Sequence, residues 1–206
     1  MKYIEAIVFD LGGVLVELSG VPAMLRWTSL PMDEEPLWQR WLTSPSVRAF
    51  ETGRITAESF ADQIIDEMKL TANRDQFLQA FIAWPLGLYA GVPDLLTNLR
   101  KRFTVGCLSN TSALHWPRLM NEMGLEHHLD HRFASHLMGK IKPDAECFEH
   151  MLRDLNLSPH QVLFFDDNAI NVEGAKKVGI HATRVKSVAE IERYLTGIGF
   201  LSKCNE

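Results

Sequence analysis

Short apolar runs recur along the chain, and each stops at polar residues. Ile4-Glu5-Ala6-Ile7-Val8-Phe9 runs into Asp10, Phe103-Thr104-Val105-Gly106-Cys107-Leu108 into Ser109-Asn110, and Val162-Leu163-Phe164-Phe165 into Asp166-Asp167. Ile180-His181-Ala182-Thr183-Arg184-Val185 follows Gly179, and Arg132-Phe133-Ala134-Ser135 is a weaker run. Near-continuous apolar runs rich in β-branched and aromatic residues predict strands covered on both faces. Helical periodicity lies between them. Leu95, Leu96 and Leu99 mark a helix over Pro93–Lys101, and Phe148, Met151, Leu152 and Leu155 mark one over Asp144–Leu155. Ala113–Met123 reads as a helix too, and Asn168–Val178 as one closed by a C′ glycine, Gly179. Ser187-Val188-Ala189-Glu190 reads as a capping box that opens a last helix ending at Gly197. Strands alternating with helices imply an α/β fold with a mostly parallel sheet.

The first two strands are about ninety residues apart, far beyond an ordinary crossover. Leu18–Tyr89 holds no convincing strand and contains Trp27, Trp38, Trp41 and Trp84. Phe60, Ile64, Ile65 and Met68 recur at helix spacing across Thr56–Met68. The region therefore reads as an inserted helical subdomain over the sheet, residues 18–89, with 1–17 and 90–206 forming the core. Its tryptophans are expected mainly in the subdomain's own interior.

The 206 residues leave room for one large domain or a domain with an insert. With 46% hydrophobic and 23% charged residues, the composition is that of a globular protein rather than a disordered tail. The net charge of −5 argues against a nucleic-acid binder, which needs a basic face. Cys107, Cys147 and Cys204 show no spacing that fits a disulfide framework or a zinc site. Glu5 and Asp10 break the N-terminal apolar stretch, and no run is long enough to cross a membrane. A reduced, cytoplasmic protein, monomeric or a small homo-oligomer, is the expectation.

In an open α/β sheet, ligands bind beyond the C-terminal strand ends. Asp10, Ser109, Asn110, Asp166 and Asp167 all fall at such ends, and Lys142 follows the weak third strand. Three carboxylates in one pocket repel one another, and a hard dication such as Mg²⁺ relieves the conflict. A lysine with hydroxyl and amide donors suits phosphoryl oxygens, and an aspartate can attack phosphorus. Mg²⁺-assisted phosphoryl transfer is the chemistry this set supports. Taken singly, Ser109-Asn110 also fits a helix cap and Asp166-Asp167 a solvated turn. Of the histidines, only His115 and His136 follow motif-bearing strands.

Four segments together resemble the haloacid dehalogenase-like hydrolases across essentially the whole chain. They are Phe9-Asp10-Leu11-Gly12-Gly13-Val14-Leu15, then Leu108-Ser109-Asn110-Thr111, then Gly139-Lys140-Ile141-Lys142-Pro143-Asp144, and last Phe165-Asp166-Asp167-Asn168 with Asn171. The resemblance implies a three-layer Rossmann-like core with an all-helical cap. Within the family, the chain is similar to small phosphatases of glucose 1-phosphate and to the phosphatase domain of soluble epoxide hydrolases. By the same resemblance, Asp10 is the nucleophile and a Mg²⁺ ligand, with the Gly12 carbonyl and Asp167 as further ligands. Asp166 stands behind them, Ser109, Asn110 and Gly13 contact substrate, Lys142 neutralises Asp10 and phosphate, and Asn171 orients the acidic loop.

One position departs from the pattern. Phosphatases of the family usually carry a second Asp two residues after the nucleophile, which protonates the leaving group and then activates water. Here that position is Gly12. General acid–base help is typically worth about 10²–10⁴-fold, so three readings follow: a good leaving group, a substitute from the cap or a water, or weak activity. A metal-free 2-haloacid dehalogenase is the competing enzyme, since its relatives also lack the second Asp. The Asp166-Asp167 pair argues for a cation and so for the phosphatase. A phosphate-binding relative without turnover is the third expectation.

Overall fold

The computed structural model describes residues 3–31 and 33–201; Cys204 lies outside them. The apolar runs form β1 (Ala6–Phe9), β4 (Thr104–Ser109), β5 (His131–Ala134), β6 (Val162–Asp166) and β7 (His181–Arg184). These five strands make one parallel sheet in the order β5-β4-β1-β6-β7. The chain winds outward from β1 first to one side and then to the other, so β1 sits at the switch point where such sheets bind ligands.

The long gap is bounded by strands that the residue pattern does not reveal. β2 (Val16–Leu18) pairs antiparallel with β3 (Pro85–Leu88), in a separate two-stranded ribbon whose register shifts between Glu17 and Leu18. Pro85 and Gly87 both weigh against strand, and pairing between distant segments overrides them here. Between the two strands lie α1 (Gly20–Leu25), α2 (Glu34–Leu42), α3 (Pro45–Glu51), α4 (Ala57–Glu67) and α5 (Arg74–Ile82). Side chains cap the starts of the last three: Ser44 accepts from the Val47 N–H, Thr56 from Ser59 and Asn73 from Gln76. Trp41, Phe50, Phe60, Phe81 and Trp84 pack into a shared interior, with Trp41 and Trp84 rings 4.7 Å apart. Trp27 and Trp38 lie partly buried against that interior.

Helices cover both faces of the five-stranded sheet. Ile7 and Phe9 of β1 pack on one side with α6 (Val92–Leu99) and, later in the chain, the helix over Val188–Gly197. The alternate residues Ala6 and Val8 pack on the other with the helix over Ala145–Leu155 and with Ala175. In chain order the remaining helices are α7 (Ser135–Met138), α8 (Ala145–Leu155), α9 (Ala169–Lys177) and α10 (Val188–Gly197). The result is a three-layer α/β core.

Two helical expectations need correction. Residues Ala113–Met123 do not form a regular α-helix; a turn leads into a wide π-type turn over Arg118–Glu122, closed by the Met123 N–H on the Arg118 carbonyl at 2.9 Å. Pro117 lacks the N–H that a regular helix would use there. At Ser187 only half of the capping box forms. The Ser187 hydroxyl accepts from the Glu190 N–H, but the Glu190 carboxylate accepts from Lys186 rather than Ser187.

Candidate active site

Adjacent parallel strands bring their C-terminal ends to one edge, and β4, β1 and β6 are adjacent. Asp10, Ser109 and Asp166-Asp167 therefore meet there. Lys142 enters from the segment after α7 and is held by Asn110: Oδ1 accepts the Lys142 N–H at 2.9 Å and Nδ2 donates to the Lys142 carbonyl at 3.0 Å. The buried Lys142 Nζ donates to Asp10 Oδ1 and to Asp166 Oδ2, both at 2.7 Å.

Asp166 is wholly enclosed. Besides Lys142, its carboxylate accepts from the Asn168 N–H at 2.8 Å and from Asn171 Nδ2 at 3.1 Å. It stands behind the pocket wall, fully engaged. Asp167 forms no ion pair among the described residues, yet ligand oxygens of Asp10, Asp166 and Asp167 all lie within 4.8 Å of one another. One lysine cannot balance three carboxylates. Burial, opposed by Lys142 and reinforced by Asp166 and Asp167, pushes Asp10 well above the usual carboxylate range. Burial and the neighbouring Asp166 raise Asp167 to about 6. Two carboxylates hold Lys142 above its ordinary value despite its burial.

These groups border a cleft of about 1140 Å³ walled on one side by the strand ends and on the other by the helical segment. Asp10, Gly12, Gly13, Ser109, Asn110, Lys142, Asp167 and Asn171 all lie on its wall, so the structure gathers every residue singled out from the sequence except the enclosed Asp166. Asn110, expected to contact substrate, directs its side-chain amide to the Lys142 backbone. Gly13 has φ +74°, and a Cβ there would stand 2.6 Å from Asp167 Oδ2. Only glycine lets that loop pass under the carboxylate.

His115 and His136 are held in packing contacts. His115 Nε2 lies 2.6 Å from the Phe81 carbonyl, its ring centroid 4.2 Å from that of Phe81, and burial pulls it down to about 4. His136 packs edge-on against Trp116. Sequence reasoning misses Glu51, the last residue of α3, which lines the cleft beside Asp10 and Lys142. Burial, opposed by Lys142 and helped by Asp10, raises its carboxyl to about 8. No sequence motif marks it, because only the docking of α3 brings it to the strand ends.

The family model described as haloacid dehalogenase-like hydrolase matches residues 4–179. A D-ribitol-5-phosphate phosphatase of Bacteroides thetaiotaomicron is 27% identical over 95% of this chain and 98% of its own. A phosphatase of Mycobacterium tuberculosis is 31% identical over 87% of this chain and 86% of its own. A crystal structure of a family enzyme from Bacteroides thetaiotaomicron, a magnesium complex, superposes with a TM-score of 0.76 at 25% identity and covers 94% of this chain and 99% of that one.

Proposed function

Because the chain belongs to the haloacid dehalogenase-like hydrolases, we propose that it is a Mg²⁺-dependent phosphatase of a small phosphorylated metabolite, a sugar or polyol phosphate. The observation that carries this reading is the buried Lys142 bridging Asp10 and Asp166 at 2.7 Å beside the unpaired Asp167. Lys142 occupies one oxygen of Asp10 and leaves the other for chemistry. The phosphatases of Bacteroides thetaiotaomicron and Mycobacterium tuberculosis support the same class.

The oxygen donors present fit a hard dication. Asp10 and Asp167 have oxygens not used by Lys142, the Gly12 backbone lines the same wall, and the carboxylates outnumber the one lysine. Asp10, Asp167 and the Gly12 carbonyl would hold Mg²⁺, which would supply positive charge to the phosphoryl oxygens. The carboxylate of Asp10 attacks phosphorus, the bond to the leaving oxygen breaks, and an aspartyl-phosphate forms. Lys142 holds Asp10 in position and offsets charge on the phosphoryl group. Ser109 Oγ, at the end of β4, would donate to a phosphoryl oxygen. Asn171 and the Asn168 N–H fix Asp166, which in turn fixes Lys142. Water then attacks the aspartyl-phosphate, releasing phosphate and restoring Asp10.

Residues 18–89 serve in this reading as a cap that closes over the strand ends and selects the substrate. The free thiols Cys107 and Cys147 are compatible with a cytoplasmic enzyme, and among the described residues no helix is long and apolar enough to cross a membrane.

Purified protein should release phosphate from 4-nitrophenyl phosphate with Mg²⁺ and lose that activity with a chelator. Asp10→Asn should abolish it. Full activity in Asp10→Asn overturns the mechanism, and halide release from chloroacetate in the presence of chelator would replace the phosphatase by a dehalogenase.

A further inference from the structure

An alkoxide leaves phosphorus slowly unless its oxygen receives a proton. Two residues after Asp10 stands Gly12, which has no side chain to give one. A side-chain donor for an alkyl ester would have to come from elsewhere on the cleft wall.

A smaller recess of about 100 Å³ adjoins the cleft at this point, bordered by Gly12, Ser109, Asn110 and Trp38. Of its lining residues, Glu51 and His115 alone titrate in the ordinary range. His115 is committed to the Phe81 carbonyl and is a neutral ring. Glu51 lines both the recess and the main cleft. Its carboxyl enters no hydrogen bond or ion pair among the described residues. The residue is half-buried, and its unpartnered carboxyl is free to meet a ligand in the cleft.

Its placement is built into the fold. α3 is anchored to the sheet side by an ion pair from Arg48 to Asp144. Just past α3, Gly53 takes φ +70°, and a Cβ there would stand 2.9 Å from the His136 carbonyl of α7. The chain thus turns tightly against α7 immediately after presenting Glu51. The carboxyl also sits at the C-terminal end of α3, where the helix dipole disfavours an anion. Enclosure in the cleft wall has the same effect, against the pull of Lys142.

We infer that Glu51 is the general acid of the reaction, the group that protonates the leaving oxygen in place of a side chain at Gly12. The inference rests on the phosphatase reading above. As Asp10 forms its bond to phosphorus, the phosphorus–oxygen bond of the ester breaks and the Glu51 proton passes to the departing alcohol. The Glu51 carboxylate so formed takes a proton from the water that attacks the aspartyl-phosphate. Phosphate leaves, and Glu51 is again protonated.

The test compares kcat/KM of wild type and Glu51→Gln on two substrates in the presence of Mg²⁺. 4-Nitrophenyl phosphate has a stabilised leaving group; ribitol 5-phosphate leaves as a primary alkoxide. Because kcat/KM reports steps through release of the alcohol, it isolates the acid role. Glu51→Gln should lose about 10²–10⁴-fold on the alkyl ester and less than about tenfold on the aryl ester. Glu51→Asp should recover part of the alkyl activity. Equal losses on both substrates, or no loss on either, overturn the assignment. Phosphate release by neither protein from either substrate instead overturns the phosphatase reading, and the role of Glu51 with it.

Discussion

Asn110 grips Lys142 by both edges of its peptide, accepting the N–H at 2.9 Å and donating to the carbonyl at 3.0 Å. The lysine tip then spans Asp10 and Asp166. Asn110→Ala removes both bonds, each worth about 1 kcal/mol net, and should lower stability by about 2 kcal/mol. The loosened Lys142 should cost up to about 10²-fold in kcat, as misplacement of a catalytic group by an ångström does. Denaturant midpoints and steady-state kinetics check both. A loss confined to KM with unchanged stability would instead make Asn110 a direct phosphate contact.

Among the described residues, Lys142 is the one side-chain cation hydrogen-bonded within the carboxylate cluster. Lys142→Met leaves Asp10 and Asp166 buried without their partner, which typically costs about 3–5 kcal/mol. The sign with pH follows. Without Lys142, Asp10 loses the pull that opposes burial, so its folded value rises further and protonation favours the folded state. The variant should therefore regain stability relative to wild type as pH falls. Urea melts at several pH values test this, and a gap that does not narrow counts against the charge account.

Much of the architecture is legible because buried parallel strands are short, apolar and bounded: Ile4–Phe9, Phe103–Leu108 and Val162–Phe165 each announce themselves. The β2–β3 ribbon does not, since Pro85 and Gly87 carry poor strand propensity and tertiary pairing supplies what they lack. The irregular turn at Arg118–Glu122 hides behind a helical periodicity that Pro117 interrupts. In the site, residues at strand ends are legible because topology alone brings them together. Glu51 is not, because it comes to the cleft only through the docking of α3 by Arg48 and Gly53. Asn110 is visible as a polar strand-end residue, but the target of its amide depends on a loop 32 residues away.

Gly12 and Gly13 should respond differently to substitution. A Cβ on Gly13 faces Asp167 Oδ2 at 2.6 Å and sits at φ +74°. Gly13→Ala should cost about 1–2 kcal/mol for the left-handed backbone and weaken Mg²⁺ binding by displacing Asp167. The atom nearest a Cβ on Gly12 is Leu18 Cδ1, at 2.7 Å, the flexible end of an exposed side chain. Gly12→Asp should fold and raise turnover on alkyl phosphates while leaving 4-nitrophenyl phosphate little changed. Placed in the Glu51→Gln background, it should restore alkyl activity. Calorimetric Mg²⁺ titration and the two-substrate assay separate these outcomes, and no gain on alkyl esters in either background counts against an acid deficit at Gly12.

His115 gives the protein an acid-sensitive joint beside the recess that adjoins the cleft. Burial holds its ring neutral to about 4 in the folded state, against an ordinary value of 6.5. Between those values the unfolded chain binds a proton that the folded chain refuses, so folding stability falls as pH drops through that window. At about 1.4 kcal/mol per pH unit, the window amounts to on the order of 3 kcal/mol. His115→Gln keeps a donor toward the Phe81 carbonyl but cannot titrate. It also gives up the ring contact with Phe81, which lowers stability by an amount independent of pH. Urea melts from neutral pH to about pH 4 should therefore show a constant deficit at neutral pH that shrinks or reverses on acidification. Parallel curves for wild type and variant across the window would show that His115 titrates normally in the folded protein.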